Sequence, residues 1–241
     1  MVCTGTLINT ASIVVSGLIG LFCGRLMKER YRATVLAACG ICIMFIGMAG
    51  AMEGMLSISD GKIASGQSML IVACYAIGAL IGEIIDLEDH FEEFGEWLKA
   101  KSGSSGDAGF VNAFVTASLT VCIGAMGIMG SIADGINGDY SILAVKAMID
   151  FVLILVMTGS MGKGCVFSAI PVFVCEGAMT LLARCIKPLM TELALNYISM
   201  IGSIMIFCIG MNLVFGKRIR AANLLPALVV AVIAALVQGN M

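Results

Sequence analysis

Two residues of opposite charge, Lys146 and Asp150, stand four positions apart inside one of the apolar runs of this chain. On a helix this spacing places both side chains on one face, close enough to pair. A charge at the centre of a membrane costs on the order of a few kcal/mol, so intramembrane charges are functional candidates. We interpret the pair as a polar site for an ion or an anionic substrate, or as a proton relay. The alternative is a structural pair that locks helices together.

A carboxylate in another apolar run, Glu176, follows Pro171 by five residues. Proline removes a helix hydrogen bond and bends the helix, and Ser168 lies just before it. Broken helices with a nearby carboxylate are typical of cation sites in transporters. We therefore predict that Ser168, Pro171 and Glu176 contribute to an ion pathway. The alternative is an ordinary kink, with Glu176 facing other helices.

Uncharged polar residues mark three further helices. Asn112, Thr116 and Thr120 are spaced four residues apart, so they share one helix face. This stripe is expected to face the bundle interior or an aqueous path. Asn9 and Asn223 are isolated polar residues near the starts of the first and last apolar runs. Each is expected to hydrogen-bond across helices, either in the pathway or in a structural role.

The chain carries no recognisable catalytic or nucleotide-binding motif. Gly162-Lys-Gly lacks the spacing of a P-loop, and GxSxG and HExxH are absent. Asp86, the single histidine His90, and Glu93 share one helix face, but a solvated face is favoured over a metal site. The 10 cysteines lie almost all in apolar runs and are interpreted as small apolar residues. We predict no enzymatic activity, no cofactor and no metal.

The composition points to a membrane protein. Of 241 residues, 60% are apolar and 12% are charged, against about 45–50% and about 25% in soluble domains. One core cannot hide that much apolar surface, so lipid must be the solvent for much of it. Barrel strands alternate polar and apolar residues, whereas these runs are continuously apolar, which predicts an all-α transmembrane bundle. At roughly 20 residues a span, the length accommodates about eight helices.

These helices are the elements that must position the polar residues. Their predicted bounds are about Thr4–Gly24, Ala33–Met52, Gln67–Ile85, Phe110–Ile132, Tyr140–Thr158, Cys165–Ala183, Tyr197–Phe215 and Ala222–Val237. A polar turn, Ser57–Lys62, follows the second span, and Asp134 and Asp139 flank a turn predicted at the outer surface. The connection Gly159–Gly164 is interpreted as a loop, with a broken or re-entrant helix as the alternative.

Residues 86–109 form the one long polar stretch. Asp86–Lys101 predicts a cytoplasmic or interfacial helix with an apolar stripe and an acidic face. The stripe consists of Leu87, Phe91, Phe94 and Leu98, and the acidic face consists of Glu88, Asp89, Glu92, Glu93 and Glu96. The Ser/Gly-rich segment Lys101–Asp107 predicts a flexible linker. It divides a single transmembrane domain into a three-helix unit, 1–85, and a five-helix unit, 110–241.

The distribution of basic residues predicts an orientation in the membrane, and a weak sequence repeat predicts an internal symmetry. With both termini outside, most Lys and Arg residues fall on the cytoplasmic side, as the positive-inside rule requires. Phe45-Ile-Gly-Met48 recurs as Cys208-Ile-Gly-Met211, so spans 1–3 can be laid over spans 6–8. Five spans separate the two units, which makes them inverted, and inverted repeats are typical of transporters. Chance similarity between apolar helices is the alternative.

A series of short stretches runs in order through nearly the whole chain. They are Gly5–Asn9, Phe114–Leu119, Cys122–Met126, Gly130–Gly135, Gly138–Asp139, Leu143–Asp150, Phe167–Pro171 and Ala222–Ala227. Together they resemble the YqgA/YdfK-like family of bacterial integral membrane proteins, a family named for its unknown function. The resemblance implies a bacterial cytoplasmic membrane protein and brings no substrate or catalytic residue. The chain departs from the family pattern at Phe151, where a glycine often follows the aspartate.

The leading hypothesis is a secondary transporter or ion-coupled permease for a small solute. Its site would lie near the midplane, between the polar face of span four, the Lys146–Asp150 pair and the bent sixth span. The alternatives are an oligomeric channel or pore, and a non-transporting scaffold or sensor partner that docks through Asp86–Lys101. The expected partners are the lipid bilayer, a small solute or ion, and in some of these cases a second copy of the chain. No basic stripe suggests nucleic acid.

Overall fold

Helices dominate the computed structural model, which describes residues 3–26, 28–59, 62–104, 106–123 and 125–239. The α-helices are α1 (Thr4–Leu26), α2 (Glu29–Met55), α3 (Ser68–Ile85), α4 (Leu87–Lys101), α5 (Phe110–Cys122), α6 (Ala125–Asn137), α7 (Ser141–Met161), α8 (Ala169–Leu181), α9 (Ala183–Ile186), α10 (Glu192–Phe215) and α11 (Pro226–Gly239). Short 3-10 helices cover Lys163–Ser168, Lys187–Leu189 and Ala221–Leu224.

A small hairpin stands where the sequence predicted a polar turn. Strands β1 (Leu56–Ser59) and β2 (Lys62–Ser65) pair antiparallel after α2. Strand β1 alternates an apolar residue with serine, and period-two alternation is the pattern of a strand. Its tip, Asp60 and Gly61, lies outside the described residues.

The predicted helical membrane bundle is confirmed. Among the described residues, seven helices are long and apolar enough to cross a membrane. An eighth span arises if α5 and α6 count as one, since these two helices meet at 62° across a short break. Neither half reaches the roughly 20 residues that a crossing needs, but together they do.

The directions of the helices favour one broken span over a re-entrant loop for the bent pair α5 and α6. Helices α1 and α7 run parallel, because Gly5 packs against Leu143 near their starts and Gly24 packs against Gly159 near their ends. If α1, α2 and α3 each cross a membrane, a parallel α7 requires an odd number of further crossings before it. Among the described residues between α3 and α7, α5 and α6 together are long and apolar enough to supply one. Helix α8 then returns antiparallel to α1, as the contacts of Thr6 with Thr180 and of Asn9 with Glu176 show.

The predicted break therefore lies in a different place. The sequence left open a broken helix at Gly159–Gly164, but the chain reverses direction there: α7 ends at Met161, and Gly162, at φ +98°, leads into the returning helix. A positive φ costs glycine little, which suits a one-residue reversal. The interruption lies instead after Cys122, where Ile123 is extended at ψ 124°.

Two antiparallel pairs join the early helices to the late ones at small residues. Helix α2 packs along α10, with Gly40 beside Gly210 and Gly47 beside Ser203. Helix α3 packs along α11 and the 3-10 helix before it, with Gly82 against Asn223. Lipid gives helices no hydrophobic reason to associate, so close backbone approach through small residues supplies the packing energy.

Replacing Gly82 with alanine tests the closest of these approaches. A Cβ at Gly82 would lie 1.9 Å from the carbonyl oxygen of Asn223, so the helices must separate. We expect Gly82→Ala to lower the free energy of unfolding by about 1–3 kcal/mol, measured by SDS titration in mixed micelles. Gly177→Ala is the control, since its Cβ meets nothing nearer than 3.9 Å. Equal stability of both variants would contradict this packing.

Helix α4 confirms the predicted amphipathic segment and corrects one of its faces. Its apolar stripe docks on the bundle, where Leu98 packs with Phe110 and Phe114 in one buried cluster. Glu88, which the sequence placed on a solvated acidic face, is buried. Glu88 lies against the 3-10 helix Ala221–Leu224, where it is hydrogen-bonded to Ala222 and Asn223.

Candidate functional site

Three charged side chains meet in the interior of the bundle. The Lys146 ammonium pairs with Asp150 one turn along α7, and Nζ lies 3.5 Å from Oε1 of Glu176 on α8. All three residues are buried, with 4–6% of their surface exposed. The pair that the sequence predicted from its four-residue spacing does form, and it gains a second carboxylate from a different helix.

Asn9 of α1 joins the two carboxylates. Its side-chain nitrogen Nδ2 donates to Oδ2 of Asp150 at 3.1 Å and to Oε1 of Glu176 at 2.8 Å. The sequence noted Asn9 only as an isolated polar residue. We call Asn9, Lys146, Asp150 and Glu176 the central cluster; it connects α1, α7 and α8 in one hydrogen-bonded unit.

The broken helix supplies a further ligand for the lysine. Nζ of Lys146 donates at 2.8 Å to the carbonyl oxygen of Val121, in the last turn of α5. Because Ile123 is extended, the α-helical bonding pattern stops here and this carbonyl is free for another donor. The C-terminal end of a helix carries partial negative charge, which stabilises an ammonium group. The break between α5 and α6 is thus part of the site.

The central cluster has unequal charge and unused acceptors. When ionised, Asp150 and Glu176 together carry two negative charges against the single positive charge of Lys146. Among the described residues, Oε2 of Glu176 and Oδ1 of Asn9 are buried and have no hydrogen-bond partner. Buried polar atoms are nearly always satisfied, so each of these two acceptors can take a hydrogen bond from a further donor.

Cavities border the central cluster on two sides. One of about 250 Å³ is lined by Lys146 and Asp150 together with Thr120, Ser199 and Ser203 among its polar groups. Another of about 160 Å³ lies on the Glu176 side. Its remaining lining comes from Cys122, Gly127, Ile128, Val172, Cys175 and Met179.

The polar stripe on α5 leads from the central cluster toward α4. Thr120 lines the cavity at Lys146, whereas Asn112 and Thr116 line a further cavity of about 160 Å³ beside Glu88 and Lys217. The Thr120 hydroxyl donates to the Thr116 carbonyl at 2.7 Å. Thr120 is buried and Thr116 is partly buried, whereas Asn112 is exposed, so only part of the stripe faces the interior. Polar groups follow one helix between two cavities.

A second polar chain extends from the central cluster in the other direction. One turn beyond Glu176 on α8, the Thr180 hydroxyl lies 3.3 Å from that of Thr6. Next to Thr6, the Gly5 amide donates to Oδ2 of Asp134 at 2.9 Å. The sequence placed Asp134 at the outer surface, but it is fully buried where α6 meets the start of α1. Its carboxylate accepts from an N–H at a helix N-terminus, where negative charge is stabilised.

Three of the predicted pathway residues lie apart from the central cluster. Ser168 is buried and donates to the Cys165 carbonyl at 2.7 Å. Pro171 lies in the first turn of α8, where a missing N–H costs little, and the sharp bend is in α5–α6 instead. Asn223 accepts at 2.7 Å from the Glu88 amide, so it holds α4 on the bundle. No feature of the sequence indicated that Asn9 would join the central cluster and that these three residues would not.

Basic residues after α10 bind the acidic residues of α3 and α4. Nζ of Lys217 lies 2.9 Å from Oε1 of Glu88 and also contacts Glu92. Partial burial opposes the charge on Lys217, but its hydrogen bonds to Glu92 and Glu88 more than compensate, so its pKa lies above the ordinary value. Arg220 contacts Glu83 at 3.0 Å and also Asp89. Of these residues, Glu88 and Lys217 line the cavity that also contains Asn112 and Thr116.

Comparison with known proteins identifies relatives but no activity. A family model described as "Protein of unknown function (DUF554)" matches residues 4–236. The "Uncharacterized membrane protein YdfK" of Bacillus subtilis (strain 168) is 26% identical over 226 residues, which cover 94% of this chain and 93% of that protein. The "Uncharacterized protein YqgA" of Escherichia coli (strain K12) is 25% identical over 231 residues, 94% of each chain. No solved structure matches. The family resemblance inferred from the sequence is confirmed.

Proposed function

We propose that this chain, which belongs to the DUF554 family of membrane proteins of unknown function, is a secondary transporter or ion-coupled permease for a small solute. The observation that carries the proposal is the central cluster: charged groups from α7 and α8, held together by Asn9, beside a discontinuous helix. Charges inside a bundle are retained at substantial cost, and transporters use helix breaks to present backbone groups to their ligands.

The size of the cavities favours a carrier of small molecules. The cavity at Lys146 and Asp150, about 250 Å³, is smaller than the roughly 300–1,000 Å³ pockets of drug-sized ligands. The central cluster separates it from the cavity at Glu176. A barrier of paired charges between two cavities supports alternating access over an open pore.

The pairing of helices supports the inverted repeat predicted for such a protein. Spans 1–3 are α1, α2 and α3, and spans 6–8 are α8, α10 and α11. Each member of the first set packs antiparallel against its counterpart in the second, as the contacts of Thr6, Gly47 and Gly82 indicate. An axis in the membrane plane relates such units in many transporters.

We also propose the location and orientation of the chain. Its relatives come from bacteria and one is named a membrane protein, which supports the bacterial cytoplasmic membrane. Eight crossings leave both termini on one side, and the positive-inside rule puts that side outside the cell. Helix α4 and the ion pairs of Lys217 and Arg220 then face the cytoplasm.

The test is solute binding and uptake with an isosteric change in the central cluster. Purified protein would be screened by thermal unfolding against amino acids, carboxylic acids, sugars, nucleosides and inorganic anions. Any stabilising solute would then be supplied in radiolabelled form to proteoliposomes. We expect saturable uptake by the wild type and at least a tenfold loss in Asp150→Asn, because the carboxylate that pairs with Lys146 is gone.

Glu93→Gln serves as the matched control, since Glu93 is an exposed carboxylate on α4. It should transport like the wild type. Uptake that is equal in Asp150→Asn and the wild type would remove the central cluster from the mechanism. Discrete single-channel currents in planar bilayers, without saturable uptake, would overturn the carrier proposal in favour of a channel.

A further inference from the structure

We propose that the ion coupled to transport is a proton and that Glu176 carries it on Oε2. This inference rests on the proposed function and specifies it. It begins from the charges of the central cluster: Asp150 pairs directly with Lys146, whereas Glu176 reaches the same ammonium only at 3.5 Å. The lysine and aspartate neutralise one another, and Glu176 holds the remaining negative charge.

The hydrogen bonds single out one oxygen of Glu176. Oε1 accepts from Nδ2 of Asn9 at 2.8 Å. Oε2 is buried without a partner among the described residues, and so is Oδ1 of Asn9. A proton on Oε2 converts this orphaned acceptor into a donor and makes the central cluster neutral. A neutral cluster is far cheaper in a low-dielectric interior than one with an excess charge.

The lining of the neighbouring cavity argues for a proton over a metal cation. Hard cations such as Na⁺ or Mg²⁺ require a shell of oxygen ligands. The cavity at Glu176 offers instead two thiols, a thioether and hydrocarbon, from Cys122, Cys175, Met179 and their apolar neighbours. Among the described residues, Glu176 is the one oxygen-bearing side chain that lines this cavity. A proton needs a single acceptor, and Oε2 provides one.

The transfer step is a simple exchange. Hydronium in the cavity gives its proton to Oε2, an O–H bond forms on the carboxyl group, and water is left behind. The reverse step returns the proton to water when the central cluster opens to the other side. The groups that face Glu176 are Asn9 from α1, Lys146 and Asp150 from α7, and Cys122 from α5. Of the described residues of α6, Gly127 lies near Oε1 of Glu176 and Ile128 lines the same cavity; neither carries a titratable group.

Infrared difference spectroscopy tests the proposal without knowledge of the solute. Full-length protein in liposomes would be exchanged between acidic and alkaline buffer, and the C=O stretching band of protonated carboxyl groups recorded. We expect a band from a buried carboxyl group in the wild type and its complete loss in Glu176→Gln. Glu93→Gln should keep it. Glu176→Asp, which retains a carboxyl group, should shift the band rather than remove it.

A second arm repeats the titration in sodium chloride and in choline chloride of equal ionic strength. Equal bands in both salts support a proton site. A band that sodium abolishes at constant pH would show that a metal cation occupies Glu176, which overturns the proposal. A band that persists unchanged in Glu176→Gln overturns it as well. Because no solute is used, failure here is separate from failure of the uptake experiments that test the transporter itself.

Discussion

Replacing Lys146 with methionine is expected to lower the free energy of unfolding by about 3–5 kcal/mol, the cost of leaving a buried charge without its partner. The substitution removes the ammonium group that contacts the carboxylates of Asp150 and Glu176 and the carbonyl oxygen of Val121. SDS titration of the purified protein in mixed micelles would measure the loss. Transport should disappear in the fraction that stays folded.

A double variant separates stability from function. In Lys146→Met/Asp150→Leu no unpaired lysine or aspartate remains, and apolar replacements of buried ion pairs are often neutral or stabilising. We therefore expect the double variant to recover most of the lost stability while transport stays absent. Unfolding of Lys146→Met at the wild-type SDS concentration would mean that the ammonium is not buried between the two carboxylates.

Replacing Glu88 with alanine is expected to release α4 from the bundle at a cost of about 2–3 kcal/mol, the upper range for hydrogen bonds to a charged group. Oε2 of Glu88 accepts from the Ala222 amide at 2.8 Å, and Oε1 pairs with Lys217 at 2.9 Å. Both bonds are lost together. Hydrogen exchange of the α4 amides, followed by mass spectrometry, would report the undocking.

Two variants calibrate this second result. Glu93→Ala changes an exposed carboxylate on the same helix and should leave α4 protected. Glu88→Gln keeps the shape and one acceptor oxygen, so it should fall between the wild type and Glu88→Ala. Equal exchange rates in Glu88→Ala and Glu93→Ala would mean that the apolar stripe around Leu98 holds α4 without help from Glu88.

Local patterns in the sequence were enough to predict the helices. A continuous apolar run is a strong signal because only a helix can carry such a run through lipid. Most ends of the predicted spans therefore lie within about five residues of the observed helix ends. The break in span four was missed because Val121, Cys122 and Ile123 continue the apolar run without a proline. At this break the Val121 carbonyl accepts from Lys146, a tertiary contact that the sequence around the break does not reveal.

The central cluster was predictable only where its residues share a helix. The spacing of Lys146 and Asp150 fixed their contact in advance, since residues four apart on a helix are neighbours. Asn9 and Asn223 looked equivalent in the sequence, yet one bridges the carboxylates and the other holds Glu88. Buried positions of Glu88 and Asp134 were also missed, because both stand beside polar residues that suggested solvent. The burial and the partners of these residues depend on which helices pack together, and the sequence patterns do not show that.

The pairing of Lys146 and Asp150 within one helix also bears on how the chain enters the membrane during synthesis. On translocon-derived scales each such residue costs about 2.5–3.5 kcal/mol at the centre of a span. Because Lys146 and Asp150 belong to the same helix, α7 can be inserted with its two charges already paired and neutral. Helix α8 is synthesised after α1 and α7, so Asn9 and Lys146 precede Glu176 into the bilayer and can contact it on insertion. The order of the polar residues along the chain thus gives the last carboxylate a partner that was inserted before it.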